Sequence, residues 1–147
     1  MKCKAGSYMW NRRKTVIIAG CSRFGASLAG EVSEHGNNVI VVEKDGGAFR
    51  KLPANFSGFQ IVGNVLDPDV LEEAGIWKAS VVVAATNDDN VNCMLAQMAR
   101  RIYDVEEVFV RLNDTDKEHL IGGLNIRAIY PARLSVEKFW ELSSTVL

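Results

Sequence analysis

The chain has 147 residues, of which 48% are hydrophobic and 24% are charged, and its formal net charge is −1. This composition is that of one globular domain of ordinary size and excludes a disordered or fibrous chain. No apolar run approaches the roughly 18 to 20 residues of a membrane span. The start of the chain has basic residues but no apolar signal segment, so we expect a cytoplasmic protein.

The positive charge is concentrated at the start of the chain. Five basic residues fall within the first fourteen positions: Lys2, Lys4, Arg12, Arg13 and Lys14. We predict that residues 1–14 form a flexible basic arm without a function of its own, the alternative being an arm that contacts anionic lipid or nucleic acid. Residues 15–147 carry a net charge of −6 and are expected to form one domain. Their acidic balance argues against nucleic-acid binding.

From residue 15 onward, strand and helix patterns alternate. The run "TVIIAG" is typical of a strand buried on both faces, and "FGASLAGEVSEHG" has helical spacing that ends at Gly36. Five further strands are predicted in "NVIVVEKD", "GFQIVGN", "ASVVVAATND", "EEVFVRL" and "IRAIY". Five further helices are predicted in "GAFRKL", "DPDVLEEAGI", "DDNVNCMLAQMARRI", "DTDKEHLIGGL" and "RLSVEKFWELSSTVL".

Six strands that alternate with helices predict an α/β fold with a doubly wound, six-stranded parallel sheet and right-handed crossovers. The expected strand order is the Rossmann-like 3-2-1-4-5-6. This order places a crevice between the C-terminal ends of the first and fourth strands, where such folds bind ligands.

A glycine turn joins the first strand to the first helix, in "IIAGCSRFGASLAGEV". Gly20 and Gly25 stand at the first and third glycine positions of a G-x-G-x-x-G fingerprint, and Ser22 occupies the middle position. The amides of residues 22–25 are expected to face the crevice as an anion site. The Ser22 hydroxyl is expected to donate to a phosphate oxygen, and Arg23 to add a charge-assisted contact.

An acidic residue ends the second strand. Glu43 lies 23 residues after Gly20, where a carboxylate accepts hydrogen bonds from both ribose hydroxyls of an adenosine and repels a 2′-phosphate. The alternative is a purely structural strand–turn–helix connection with an incidental acid.

Two further loops are expected to reach the same crevice. Gly63, Asn64 and Val65 follow the third strand, where backbone groups and an apolar side chain bracket an adenine ring. Thr86 and Asn87 follow the fourth strand and are expected beside the phosphates.

The aspartates after the fourth strand and the cysteines are interpreted as structural residues. Asp88 and Asp89 are expected to cap the next helix. Whether they also contact the ligand, or a divalent cation beside the phosphates, is left open. The three cysteines show no C-x-x-C spacing and predict neither a disulfide framework nor a zinc site. Cys21 is interpreted as a small packing residue, the alternative being a reactive thiol.

Three segments carry a resemblance to a known family: "VIIAGCSRFGASLAGEVSEHGNNVIVVEKD", "GNVLDPDVLEEAGI" and "ASVVVAATNDDNVNCMLAQMAR". They resemble the TrkA-N, or RCK N-terminal, domain that regulates bacterial potassium uptake, and the resemblance runs over residues 15–135. It implies a Rossmann-like cytosolic module that binds an adenine nucleotide: NAD(H), ATP, ADP or AMP. It also implies a homodimer or larger ring that gates a potassium channel or transporter at the inner face of the cell membrane.

The resemblance also assigns binding roles by position. The expected nucleotide-binding residues are Gly20, Ser22, Arg23, Phe24, Gly25, Glu43, Lys44, Gly63, Asn64, Val65, Thr86 and Asn87. No catalytic residue and no metal ligand is expected. Because Ser22 replaces a glycine that is common in the family, a mononucleotide is slightly favoured over a dinucleotide.

The last predicted helix carries an apolar stripe formed by Val136, Phe139, Trp140 and Leu147. A stripe of this kind usually faces the core. Because it lies near a chain end, the alternative is that part of it is exposed for a second subunit, and we expect a homodimer through this helix.

Three functions are compatible with the sequence. The favoured one is a nucleotide-sensing regulatory subunit that is not an enzyme. The second is a small NAD-dependent oxidoreductase, disfavoured because no basic side chain is placed where a nicotinamide would end. The third is a Rossmann dimerisation scaffold that binds no ligand.

Overall fold

The computed structural model describes residues 13–147. The predicted basic arm therefore lies outside the described residues except for its last two positions. Arg13 Nε donates to the carbonyl oxygen of Gly36 over 2.9 Å, and Asn38 N donates to the carbonyl oxygen of Lys14 over 2.8 Å. Within the described part of the chain, no helix combines the length and apolar character needed to cross a bilayer.

The described residues form six strands and four α-helices. The strands are β1 Thr15–Ala19, β2 Asn38–Glu43, β3 Phe59–Val62, β4 Val81–Ala84, β5 Glu107–Arg111 and β6 Arg127–Ile129. The helices are α1 Arg23–Glu34, α2 Pro68–Glu73, α3 Asp89–Arg101 and α4 Pro131–Leu142. Three short 3₁₀ helices lie between them: Gly46–Lys51, Ile76–Lys78 and Thr115–Leu120.

The strands form one parallel sheet in the order 3-2-1-4-5-6, which confirms the predicted topology. At its centre, Ile17 of β1 pairs with Ile40 of β2 on one side and Val82 of β4 on the other. These strands consist mainly of β-branched residues, which suit a sheet whose two faces are both covered.

Alternate side chains of the strands pack into two separate cores. Ile17 and Val82 pack with Leu95 of α3 on one face. Ile18 and Val41 pack with α1 residues such as Ala29 on the other. Because successive strand residues point to opposite faces, one continuous apolar run supplies both cores.

Two of the predicted helices are only single 3₁₀ segments. Asp45 caps Gly46–Lys51 by accepting from Gly47 N, and Asp114 caps Thr115–Leu120 by accepting from Asp116 N. Gly46 and Gly47 at the start of the first segment disfavour a longer helix. The helix predicted in "GAFRKL" therefore has its predicted length and is shifted by one residue, whereas the helix predicted in "DTDKEHLIGGL" was too long.

Helix α4 differs from prediction in a way that bears on function. It begins at Pro131 and ends at Leu142, although the prediction extended it to Leu147. None of its residues is buried. Phe139 and Trp140 are 54% and 56% exposed, so the prediction that this apolar stripe faces the core of its own chain was wrong.

Candidate functional site

The glycine turn brings the end of β1 against the loop that follows β4. Gly20 has a φ of 109°, and a Cβ atom there would lie 2.6 Å from Thr86 N. A Cβ atom at Gly25 would collide with the carbonyl oxygen of Gly20. Both positions therefore require glycine for backbone conformation or packing, with or without a ligand.

Ser22 is buried and serves as the N-cap of α1. Its Oγ accepts from Gly25 N over 3.1 Å and donates to the carbonyl oxygen of Ala85 over 2.6 Å. A hydroxyl has one proton to donate. The expectation that this hydroxyl donates to a phosphate is therefore wrong for this structure, because the Ala85 carbonyl already receives the proton.

The next two residues of the turn point away from the crevice or into solvent. The Arg23 side chain is exposed and is not among those that line the cleft described below. The Phe24 side chain packs on the α1 face of the sheet, beside Leu28 and Phe109. Any contact of Phe24 with a phosphate would therefore involve its backbone amide, and the side chain has a packing role instead.

Glu43 ends β2 with its carboxylate facing the glycine turn. Oε1 accepts from Cys21 N over 2.7 Å, and Oε2 accepts from Asp45 N over 3.0 Å. The side chain is half-buried and lines the cleft. Because each carboxylate oxygen can accept a further hydrogen bond, the group retains acceptors for two hydroxyls.

Of the three predicted residues in the loop after β3, one has a packing role and two line the cleft. Gly63 N donates to the Glu43 carbonyl oxygen over 3.0 Å, and a Cβ atom at Gly63 would lie 2.7 Å from Val70 Cγ2, so this glycine has a packing role. Asn64 and Val65 line the cleft, and Asn64 Oδ1 accepts from Leu66 N over 2.9 Å. Val65 is buried and supplies an apolar wall.

A buried asparagine holds the loop after β4. Asn92 Oδ1 accepts from Thr86 N over 3.0 Å and from Thr86 Oγ1 over 2.6 Å. Asn92 Nδ2 donates to the carbonyl oxygens of Thr86 and Arg111 over 3.0 Å and 2.9 Å. The predicted residue Asn87 is exposed and lines the cleft, with its Oδ1 accepting from Arg111 Nη1 over 3.3 Å.

The two aspartates at the start of α3 have different partners. Asp88 Oδ1 caps the helix by accepting from Asn90 N and Val91 N, and Asp88 also lines the cleft. The Asp89 carboxylate turns to the loop after β5, where it accepts from Asn113 N and Asp114 N. Within residues 13–147, no three His, Cys, Asp or Glu side chains are grouped as a metal site.

These elements together enclose one cleft of about 580 Å³ at the C-terminal ends of the strands. The predicted residues Ser22, Glu43, Lys44, Asn64, Val65, Thr86 and Asn87 line it. It is also lined by residues that the predicted set did not include: Cys21, Asp45, Ala48, Lys51, Leu66, Asp88 and Val91. The volume is within the range of small-molecule sites.

Lys51 is the most informative of the residues that sequence reasoning missed. Its Nζ donates to the Cys21 carbonyl oxygen over 3.3 Å, which holds an ammonium group beside the glycine turn. Lys51 is eight residues beyond the acidic end of β2 in sequence. Only the path of the Gly46–Lys51 segment, which has no sequence motif, returns it to the cleft.

The Cys21 thiol is a packing group. It is buried and donates to the Ala48 carbonyl oxygen over 3.3 Å. Burial, followed by the nearby Glu43 carboxylate, raises the pKa of this thiol, and Lys51 opposes that shift. The structure therefore favours the packing interpretation of Cys21 over the reactive one.

The comparison with known sequences agrees with this fold. The TrkA-N domain family matches residues 16–131. The "Trk system potassium uptake protein TrkA" of Streptomyces coelicolor is 32% identical over 123 residues, which cover 84% of this chain and 55% of that protein. The chain spans about half the length or less of the curated relatives it matches.

Solved structures share the architecture at lower identity. The TrkA-N domain of the inner membrane protein ybaL from Escherichia coli has a TM-score of 0.77 at 16% identity, covering 89% of this chain and 97% of that domain. The Kef CTD of Shewanella denitrificans in its AMP-bound form has a TM-score of 0.66 at 23% identity, covering 90% of this chain and 85% of that one. The GsuK channel bound to NAD has a TM-score of 0.65 at 14% identity, covering 80% of this chain and 21% of that one.

The solved structures, at these identities, establish a common fold. The sequence match goes further, because it extends from the second residue of β1 to the first residue of α4. The chain belongs to the TrkA-N domain family.

Proposed function

We propose that this chain is the nucleotide-sensing part of a cytoplasmic regulatory subunit, which binds an adenine nucleotide in the cleft and gates a membrane potassium channel or transporter. The observation that carries the proposal is the Glu43 carboxylate at the tip of β2. It faces the cleft and is hydrogen-bonded to the amide of Cys21 in the glycine turn.

Different residues of the cleft are suited to the adenine, the ribose and the phosphate of a nucleotide. Val65 and Leu66 supply apolar surface for the adenine ring, and Glu43 supplies acceptors for the ribose hydroxyls. The N-terminus of α1, a helix of 12 residues, supplies amides and a positive dipole end for a phosphate. Lys44 and Lys51 supply positive charge at the same cleft.

The nucleotide is proposed as NAD(H), ATP, ADP or AMP. Among the structurally similar proteins, Kef CTD was solved with AMP and the GsuK channel with NAD. The Glu43 carboxylate would repel a 2′-phosphate, so NADP is expected to bind weakly. In this proposal the phosphate is bound by the backbone amides of Ser22, Arg23 and Phe24 and by the exposed Arg23 side chain. The amides of Gly20 and Gly25 already donate to the Val42 carbonyl oxygen and to Ser22 Oγ, so these two glycines contribute by shaping the turn.

The link to potassium transport is supported by the relatives, whose names identify them as potassium uptake proteins. A ligand shifts an equilibrium between two arrangements only through its different affinities for them. We therefore propose that nucleotide favours one arrangement of an oligomer over another, and that the membrane partner responds to that arrangement.

A homodimer is proposed through α4 and an apolar groove on the α1 face of the sheet. The groove has a volume of about 350 Å³ and is lined mainly by Val16, Phe24, Leu28, Val32, Val81, Val83, Phe109 and Ile129. Each copy also carries an α4 helix with exposed apolar side chains, among them Leu134, Phe139 and Trp140. A two-fold exchange that seats each helix in its partner's groove would cover both surfaces.

Isothermal calorimetry with AMP, ADP, ATP, NAD and NADH tests the site. Glu43→Gln is expected to weaken binding by roughly 10- to 100-fold, because charged hydrogen bonds to the ribose are lost. Glu106→Gln, a change of the same kind at an exposed position before β5, is the matched control and should leave affinity unchanged.

The same panel separates the alternatives. Equal affinity in wild type and Glu43→Gln, with both proteins folded, would refute the site assignment. Absence of binding and of any ligand-induced rise in melting temperature would favour the scaffold, since a ligand of the native state stabilises it. Turnover of NADH with small carbonyl compounds would favour the oxidoreductase.

A further inference from the structure

Arg111, the last residue of β5, has a guanidinium group whose donors are incompletely used. Its Nη1 donates to Asn87 Oδ1 over 3.3 Å, and its Nε is enclosed by protein without a hydrogen-bond partner. Neither ion pair found within residues 13–147 involves Arg111. Leaving a charged group's donor unpaired in the interior is costly, so this side chain requires an explanation.

The position of Arg111 follows from the order of the strands. Along the C-terminal edge of the sheet, Glu43 ends β2, the glycine turn follows β1, Asn87 follows β4 and Arg111 ends β5. Strands are spaced by about 4.8 Å, so β5 is about 14 Å from β2. Through its contact with Asn87, the Arg111 side chain reaches back toward the cleft.

The backbone of Arg111 is held by a buried side chain, whereas its guanidinium group makes one long side-chain hydrogen bond. The fully buried Asn92 side chain donates a hydrogen bond to the Arg111 carbonyl oxygen. It also donates to the carbonyl oxygen of Thr86, the residue before Asn87. The 3.3 Å contact to Asn87 is long for a hydrogen bond to a guanidinium. An anion placed beside Asn87 would offer this group a stronger acceptor.

We propose that Arg111 and Asn87 form a second anion subsite, which receives the phosphate that follows the first phosphate of the bound nucleotide. Asn87 is the member that lines the cleft, and Arg111 supplies the charge from behind it. Guanidinium groups bind phosphate oxygens through paired donors. The subsite therefore favours nucleotides with two or more phosphate groups over AMP, and the inference rests on the proposed nucleotide site.

The test compares ADP with AMP by calorimetry without divalent cations. The wild type is expected to bind ADP more tightly than AMP. Arg111→Gln is expected to weaken ADP binding by roughly 10- to 100-fold, as for loss of a charge-assisted contact, while AMP affinity stays nearly the same. Arg101→Gln, an exposed arginine at the end of α3, is the control and should change neither affinity.

Each other outcome has a definite consequence. Unchanged ADP affinity in folded Arg111→Gln overturns the subsite, and so does an equal loss for ADP and AMP, which would indicate that Arg111 only positions the loop. If Arg111→Gln does not fold, Arg111→Met, which keeps an unbranched apolar side chain and removes the charge, replaces it, and an unchanged ratio of ADP affinity to AMP affinity there overturns the proposal. A wild type that binds NAD or NADH but neither ADP nor AMP overturns the subsite alone. A wild type that binds none of the five nucleotides of the calorimetric panel refutes the proposed function itself, and the subsite with it.

Discussion

Replacement of Asn92 by alanine should destabilise the domain far more than the same change two residues earlier. The Asn92 side chain is 0% exposed and makes four hydrogen bonds, two to Thr86 donors and two to carbonyl oxygens of Thr86 and Arg111. At about 1 kcal/mol net for each bond, Asn92→Ala is expected to lower the free energy of unfolding by about 4 kcal/mol. For a domain of this size, this corresponds to a fall in melting temperature of about 8 to 16 °C.

Asn90→Ala is the matched control, because it makes the same substitution on the same helix. Asn90 is exposed, and its Oδ1 accepts from Lys117 Nζ at the surface. Any gain in helix propensity on going from asparagine to alanine is common to both variants. Asn90→Ala is expected to change the free energy of unfolding by less than about 1 kcal/mol.

Urea denaturation followed by far-ultraviolet circular dichroism and by tryptophan fluorescence measures both variants. Coincident transitions justify a two-state free energy. If Asn92→Ala loses no more stability than Asn90→Ala, the four hydrogen bonds do not hold the loop after β4 as described. The account of how α3 positions Thr86 would then be wrong.

Three further predictions concern other parts of the domain. Gly25→Ala, which places a Cβ atom against the carbonyl oxygen of the glycine turn, is expected to cost about 1–3 kcal/mol or more in chemical denaturation, and an unchanged transition would contradict the packing role. In a Cys3→Ser protein, Cys21 and Cys93 are expected to react slowly with iodoacetamide at pH 8, because burial raises both thiol pKa values and lowers the thiolate fraction; labelling at the rate of the guanidinium-unfolded chain would count against this. Trp140→Lys is expected to weaken the proposed dimer at least about tenfold in sedimentation equilibrium, as for loss of an aromatic anchor, whereas an unaltered dimer would exclude α4 from the interface.

The sequence predicted the topology because the relevant signals are local and periodic. Each β-branched run and each capped helix is encoded within about ten consecutive residues, and right-handed crossovers leave few ways to assemble them. The position of Glu43 was equally predictable, because the end of β2 is fixed relative to the glycine turn after β1. The structure places that carboxylate where the spacing indicated, facing the cleft and bonded to Cys21 N.

The sequence could not show which contacts each side chain of the site makes. The hydroxyl of Ser22 donates to the carbonyl oxygen of Ala85, which is 63 residues away in sequence. The sequence of the turn alone therefore could not show that this hydroxyl already has an acceptor. Arg111 and Asn87 are separated by 24 residues and meet only because β4 and β5 are neighbours. No local pattern encodes such pairs.

The amino-acid sequence by itself determined the strand order and the acidic end of β2, because these depend on short-range periodicity and spacing. The family was identified from the resemblance that three of its segments carry. Only the tertiary structure decided that α4 leaves its apolar side chains exposed and that Lys51 returns to the cleft. The same holds for the buried hydrogen-bond network of Asn92, which fixes the loop after β4. The physical reason is that burial and hydrogen-bond partners depend on which distant segments become neighbours, and an amphipathic helix has the same pattern whether its own chain or another one covers it.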